Sequence, residues 1–204
     1  MNECRRQLCF QCSNPAAFST LARRSFSRFS LGLPCVFVPR DSSIESSTTE
    51  LALAITARGL QALRRSFERA SAKCQTGLEK ATAIGQAYMD FARNQSDYFK
   101  FIARGEVREF GPSPVGENER LCASEGEKTL AVLANAVRCG VADGTIDPGV
   151  GDPAAVAVVL WGFIHGMLQV AASKQNMLEK MMHLDIANLL QGGLRLASRA
   201  IRAG

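Results

Sequence analysis

The chain has 204 residues, of which 47% are hydrophobic and 21% charged, and its formal net charge at pH 7 is +5. This length and apolar content suffice for a sizeable core in one large domain or two small ones, and they exclude a wholly disordered chain. A charge excess of this size permits contact with nucleic acid or an anionic membrane but indicates neither.

Residues 1–48 differ in composition from the rest of the chain. They contain six arginines, no lysine and four of the seven cysteines. Serine and proline interrupt any helical pattern, so we expect an irregular or disordered segment, with a short strand at residues 35–38. The absence of acidic residues between positions 4 and 40 is also typical of an organelle-targeting segment, which remains a second interpretation.

The cysteines indicate a reducing compartment and no metal centre. An odd number without a regular framework favours free thiols and a cytoplasmic location. Cys4, Cys9, Cys12 and Cys35 superficially follow a plant-type iron–sulfur spacing. Arginine clusters surround them and no fold is evident to hold a cluster, so we expect neither a metal nor another cofactor.

From Thr49 onward apolar residues recur at helical spacing, and no stretch alternates with the period of a strand. The sequence therefore predicts an all-α fold, with prolines and glycines marking a loop at residues 106–120 and a turn at 145–153. The last helix is predicted to run without a break from near Asn176 to the terminus. The other predicted helices cover residues 49–70, 77–95, 96–105, 118–144 and 153–173.

Residues 153–173 carry no formal charge and are long enough to cross a membrane. His165 and Gln169 interrupt the run, and the other helices are amphipathic, which favours a core helix or a helix at a dimer interface. The alternative is a membrane-associated or protein-interaction protein in which residues 153–173 are a buried or membrane helix.

Two pairs of residues in this helix recur at intervals of four. Trp161 and His165 lie on one face, and Gly162 and Gly166 on a neighbouring face, where they favour close approach of another helix. His165 is interpreted either as a hydrogen-bonded core histidine or as a polar contact for a small molecule in an apolar pocket. No carboxylate or nucleophile lies within a turn of it, so we do not expect an enzyme.

The block PAAVAVVLWGFIHGM with the preceding GTIDPG, and the stretch AIGQAYMDFARNQSDYFKFI, resemble the C-terminal regulatory domain of bacterial tetracycline-repressor-like (TetR) transcription factors. The resemblance is to the type named for its Trp, His and Gly, here Trp161, His165 and Gly166, and it covers residues 49–204. It implies a helical domain that dimerises through its last two helices and encloses an effector pocket between the middle ones.

The resemblance also implies partners and site residues. The partners are a second copy of the chain, a small apolar effector and DNA; no membrane is expected. We expect the effector pocket to be formed by Tyr88, Phe91, Phe99, Trp161 and His165. We expect the helix contacts of the dimer to be formed by Gly162, Gly166, Leu189, Gly192, Gly193 and Leu196.

Regulators of this type place a DNA-binding helix-turn-helix immediately before such a domain. Residues 1–48 have a suitable length but lack an amphipathic first helix and an Ala-Gly-Val turn. A shifted reading frame across this part of the gene would explain length without pattern. Arg23, Arg24 and Arg28 are interpreted either as a basic arm that contacts phosphate or as a solvated, disordered end.

Overall fold

The computed structural model describes residues 42–105 and 116–204, and these residues form helices without a β-strand among them. The predicted all-α class is therefore confirmed. The α-helices are α1 (Ser42–Ser71), α2 (Gly77–Asn94), α3 (Ser96–Gly105), α4 (Glu117–Ala142), α5 (Pro153–Ser173) and α6 (Ile186–Ile201). A 3-10 turn at Pro148–Val150 precedes α5, and a π-helical turn at Met177–Met181 follows it.

The last helix is not continuous, so the prediction for it was wrong. The π-helical turn is followed by a break in which His183 adopts a φ of 54°, and α6 then begins anew. Asp185 causes this new start, because its side chain accepts a hydrogen bond from the backbone N–H of Asn188 at 2.7 Å. The prediction followed the apolar periodicity of residues 176–201 and did not consider that Asp185, within that stretch, could cap a new helix.

α1 begins at Ser42, ahead of the predicted start at Thr49. Its first turns are rich in serine and threonine, so no apolar stripe marks them in the sequence. The predicted strand at residues 35–38, the four cysteines before residue 36 and the arginines of the basic arm lie outside the described residues.

α2 lies at the centre of the helical domain and contacts every other α-helix in it. Its apolar stripe, which includes Ile84 and Tyr88, is buried against α1 and α4. On α1 the buried residues Leu63 and Phe67 lie one turn apart, as the periodicity predicts. The core therefore lies around α2.

The start of α2 crosses α4 at van der Waals distance between backbones. A Cβ atom on Gly77 would lie 1.9 Å from the backbone nitrogen of Gly140. A Cβ on Gly140 would in turn lie 2.5 Å from the side chain of Ile146, which is itself fully buried. Only glycine permits this approach, and the two glycines fix where α2 enters the core.

The loop after α4 caps the same end of α2. The backbone N–H of Gly77 donates to Asp143 at 2.7 Å, and that of Leu78 donates to the hydroxyl of Thr145 at 3.2 Å. Hydrogen bonds from the Thr145 hydroxyl and from the Gly77 amide hold the pKa of Asp143 below its usual value. Thr76 and Glu79 add a capping box, which satisfies further N–H groups of the first turn.

A buried carboxylate joins α1 to α4. Glu125 is 5% exposed and accepts hydrogen bonds from Arg64 on α1 and Lys128 on α4, each at 3.0 Å. Burial alone would raise the pKa of Glu125, but the hydrogen bonds from Lys128 and Arg64 outweigh it, so the pKa lies below its usual value. The carboxylate is therefore charged at neutral pH and holds α1 in register on α4.

α5 buries one face only. Ala157, Ile164 and Leu168 pack into the core, whereas Val159 is 69% exposed and Phe163 is 42% exposed. Among the described helices, α5 is the one long and apolar enough to cross a membrane. The expectation of a helix buried within the core is therefore met on one face, and the described residues leave an apolar face of α5 uncovered.

Gly77→Ala should destabilise the domain by about 3 kcal/mol, because its methyl group would overlap backbone atoms of α4 that cannot move without displacing the helix. Gly126→Ala, in the interior of α4, is the control, since a Cβ there meets nothing within 4 Å. It should stabilise the domain by about 0.5–1 kcal/mol through helix propensity. Chemical denaturation of both variants measures the difference, and equal effects would contradict the close crossing.

Candidate functional site

Four of the five predicted pocket residues meet around one histidine. The hydroxyl of Tyr88 on α2 lies 2.6 Å from Nδ1 of His165 on α5. The ring of His165 lies 5.4 Å from Trp161 and 5.6 Å from Phe99 of α3, measured between centroids. We refer to Tyr88, Phe99, Trp161 and His165 as the His165 cluster, and it connects α2, α3 and α5.

The fifth predicted residue, Phe91, lies apart from this cluster. It is buried, but it lines a separate cavity of about 260 Å³ together with Ala62 and Ser66 of α1. Phe91 follows Tyr88 by three residues, and this small angular offset turns it toward α1 and away from α5. Sequence spacing could not distinguish these two directions.

Gln169, which the sequence analysis did not predict as a site residue, provides another polar contact to His165. It follows His165 by one turn of α5, and its Nε2 lies 3.2 Å from Nε2 of the imidazole. With the amide in this orientation, Gln169 donates to His165, and the Nδ1 proton of His165 donates to Tyr88. The spacing of four residues was the signal in the sequence that could have identified it.

A large cavity adjoins the cluster at Phe99. The cavity has a volume of about 820 Å³ and is bounded by α2, α3, α5, the π-helical turn and α6. Phe99 and Gln169 line it directly and both contact His165. Its floor is apolar and consists mainly of Met89, Phe99, Ala103, Leu168, Ala171 and Leu190. Its rim carries the charged residues Asp90, Arg93, Lys100, Arg104, Glu179 and Asp185.

Trp161 also faces a second, smaller cavity. This cavity has a volume of about 280 Å³ and lies between α1 and α4, where Leu60, Cys122 and Thr129 line it. Burial raises the pKa of the Cys122 thiol, which donates to the carbonyl of Leu53 at 3.2 Å. The thiol is therefore protonated and unreactive at neutral pH. Trp161 thus connects the His165 cluster to the helix that follows residues 1–41.

In the part of the chain that the structure describes, no group of three or more His, Cys, Asp or Glu side chains is placed to hold a metal ion. The cysteines with iron–sulfur spacing fall outside that part.

The glycines predicted for helix contacts divide into two groups. A Cβ on Gly162 or Gly166 would meet nothing within 4 Å, so both glycines face open space on the exposed side of α5. Gly193 instead packs within the chain, because a Cβ there would lie 2.1 Å from the sulfur of Met167. Gly193 therefore allows α6 to approach α5 of the same molecule and is not part of the exposed surface.

An apolar surface extends over the outer sides of α5 and α6. On α6, Leu196 is 63% exposed, Gly192 is half-buried beside it, and Leu189 is also half-buried. We define the α5–α6 apolar face by its residues Val158, Val159, Gly162, Phe163, Gly166, Gly192 and Leu196. Contiguous apolar surface of this kind marks a site of interaction with another protein or with a membrane.

Comparison with known proteins identifies the fold. A family model described as "Tetracyclin repressor-like, C-terminal domain" matches residues 81–195, which contain the His165 cluster and most of α6. A solved structure titled "Structure of a protein with unknown function from Rhodococcus sp. RHA1" matches with a TM-score of 0.60 and 20% identity, covering 74% of this chain and 73% of that one. At this identity the likeness shows the fold alone. No curated protein matches.

Tyr88→Phe should lower the free energy of unfolding by about 1–2 kcal/mol, because it leaves Nδ1 of His165 without its 2.6 Å partner inside the domain. Tyr98→Phe is the matched control: Tyr98 is the only other tyrosine, is half-buried on α3 and packs near Gly59. Urea denaturation of the two variants tests the assignment. If both hydroxyls prove equally dispensable, the Tyr88–His165 hydrogen bond does not hold α2 to α5.

Proposed function

The chain belongs to the tetracycline repressor-like family through its C-terminal domain, and we propose on this premise that it is a transcriptional regulator whose C-terminal domain dimerises and binds a small apolar effector. The observation that carries the proposal is the 820 Å³ cavity, which is lined by Phe99 and Gln169, both in contact with His165. This volume lies within the usual range of small-molecule sites, and an apolar floor with a few polar groups is their usual lining.

Within this cavity we assign each cluster residue a separate role. Phe99 provides apolar contact, and Gln169 provides a hydrogen-bonding amide to the effector. His165 and Tyr88 lie behind them and hold Gln169 in place, and Trp161 packs against His165. His165 is in this proposal a positioning residue, which combines the structural and the functional interpretation of the sequence.

The effect on the rest of the protein follows the path of these contacts. An effector that displaces Gln169 or Phe99 moves the imidazole of His165, because both residues contact it. Trp161 stacks on His165 and therefore moves with it. Trp161 borders the cavity between α1 and α4, and α1 leads to the N-terminal segment. An effector that binds one arrangement of α1 more tightly than another shifts the population toward it, by no more than its difference in affinity.

We assign the α5–α6 apolar face to a homodimer interface. Gly162 and Gly166 leave room for a second helix, and a twofold axis would bring this surface against its own copy. The alternative, a helix within a bilayer, is supported by the length and hydropathy of α5. Against it, Ala157, Ile164 and Leu168 of α5 pack into the core of their own chain, and Tyr88 binds His165 there.

DNA binding rests on the family and not on residues recognised in this chain. Regulators of this kind carry a helix-turn-helix in front of the C-terminal domain, at the position of residues 1–48. We therefore retain that boundary as a proposal, with residues 49–204 as the effector-binding and dimerisation domain. A regulator of this kind works in the bacterial cytoplasm, where it has access to DNA.

A small apolar effector should raise the thermal stability of the protein and change the fluorescence of Trp161, the only tryptophan. A ligand at a hundred times its Kd should stabilise the folded state by about 2.7 kcal/mol. Ala187→Trp, at the cavity wall, should weaken binding at least about tenfold by filling the space.

Ala142→Trp, at an exposed position near the end of α4, is the control and should leave affinity unchanged. The effector assignment would be withdrawn if a broad panel of hydrophobic compounds altered neither stability nor fluorescence. Equal loss of affinity in both tryptophan variants would place the bound ligand outside the cavity.

Leu196→Glu should weaken dimerisation at least about a hundredfold, because the twofold axis repeats the buried carboxylate on both subunits. Leu51→Glu is the matched control, since Leu51 and Leu196 are both 63% exposed and Leu51 lies on α1. Sedimentation equilibrium distinguishes the two. A wild-type monomer, or a dimer insensitive to Leu196→Glu, would contradict the assignment, and a requirement for detergent would favour the membrane alternative.

A further inference from the structure

A groove with an arginine-rich wall adjoins the large cavity. It has a volume of about 580 Å³ and runs between α2 and α6. Gln86 and Gln191 line both spaces, and the Nε2 of Gln191 donates to Oε1 of Gln86 at 2.8 Å. The two spaces therefore adjoin at this pair of amides, and an elongated molecule that replaced their mutual hydrogen bond would extend from one space into the other.

Three arginines form the outer wall of the groove. Arg195 and Arg199 lie one turn apart on one side of α6, and Arg202 follows the helix in extended backbone; all three line the groove. All three are exposed, and within the described ranges none of them forms an ion pair. The wall therefore presents three guanidinium groups whose charge no described carboxylate neutralises.

Among the described residues, Glu79 is the one acidic residue that lines this groove, and its carboxylate is already hydrogen-bonded. It accepts hydrogen bonds from the backbone N–H groups of Thr76 and Gln75, each at 3.0 Å, and these bonds lower its pKa. Three arginines face one glutamate, so the lining carries a net charge of +2.

The rim of the large cavity offers no comparable excess. Three basic and three acidic side chains line it. Arg93 is paired with Asp90, and Lys100 is paired with Asp97. An anion would compete with these carboxylates at the rim, whereas the groove would attract it. The groove is therefore better suited than the rim of the large cavity to bind a negatively charged group.

We infer that the effector is an amphiphile with a phosphate-bearing headgroup. Its apolar chain lies in the cavity, and its phosphate binds Arg195, Arg199 and Arg202 in the groove, with the connection passing at Gln86 and Gln191. The inference rests on the proposed effector site and specifies its ligand class. Guanidinium forks match phosphate geometry, and a phosphate monoester with a charge of about −1.5 to −2 engages three arginines better than one carboxylate does.

Isothermal titration calorimetry with decyl phosphate, decanol and inorganic phosphate tests the inference on the full chain. Decyl phosphate should bind at least about tenfold more tightly than decanol, and added salt should reduce this advantage. The triple variant Arg195→Gln, Arg199→Gln, Arg202→Gln should lose the advantage and keep its affinity for decanol. Inorganic phosphate alone should bind far more weakly than decyl phosphate, because it lacks the chain.

A second triple variant, Arg58→Gln, Arg65→Gln, Arg138→Gln, is the matched control. It removes the same charge from exposed positions on α1 and α4 that lie outside both spaces, so it should bind decyl phosphate like the wild type. Equal loss in the two triple variants would attribute the effect to net charge and overturn the groove assignment.

The remaining outcomes separate this inference from the proposed function. If decanol binds and decyl phosphate gains nothing, the headgroup site is refuted while the apolar effector site stands. If neither chain-bearing compound binds, the headgroup inference is refuted, and the broad panel of hydrophobic compounds then decides whether the apolar effector site stands. The phosphate could belong to a lipid or to a nucleotide, and decanoyl lysophosphatidate and the decyl thioether of coenzyme A distinguish these sources. A preference for either supports the inference and identifies the source.

Discussion

The contact between the backbones of Gly77 and Gly140 fixes the position of α2, and the functional features depend on that position. With no side chain on either residue, α2 begins against α4 itself, and Asp143 and Thr145 bind the N–H groups of its first turn. The same loop is hydrogen-bonded to the last residue of α6 and to the segment after it, through the backbone pairs Asp147–Ile201 and Thr145–Ala203. One loop therefore sets the relative positions of α2, α4 and α6.

Because α2 is held in this way, one helix contributes residues to the His165 cluster, to the large cavity and to the junction between that cavity and the groove. Tyr88 points to His165, Met89 lines the floor of the large cavity, and Gln86 lies where that cavity meets the arginine-lined groove. These three residues are close in sequence but point in different directions around the helix. A small rotation of α2 would therefore change the cluster, the cavity and the junction together, which is the kind of coupling that a regulatory domain requires.

The sequence predicted most of the fold because helix ends and apolar stripes are local properties. The helices predicted at residues 77–95 and 153–173 begin where α2 and α5 begin, and the apolar periodicity predicted for residues 49–70 runs through the buried Leu63 and Phe67. The sequence did not predict which way individual side chains face, because that depends on which helices pack together. Nothing local distinguishes Tyr88, which meets His165, from Phe91, which faces α1, or Gly193, buried against Met167, from exposed Gly162. The arginine-lined groove was missed because its arginines resemble a solvated helix face until α2 is placed beside them.

α5 distributes its residues in the reverse of the usual order. Its polar residues His165 and Gln169 lie toward the interior and the cavity, whereas Val159 and Phe163 face outward. If water covered the outer face of α5, the domain would be more stable with apolar residues inside and polar residues outside. Burying polar groups costs free energy, and exposed apolar area contributes no hydrophobic stabilisation. His165 is hydrogen-bonded to Tyr88 and to Gln169, and these hydrogen bonds offset the free energy lost when the polar groups are buried. The outward apolar residues are covered by none of the residues that the structure describes, and a second copy packed on Gly162 and Gly166 would cover them.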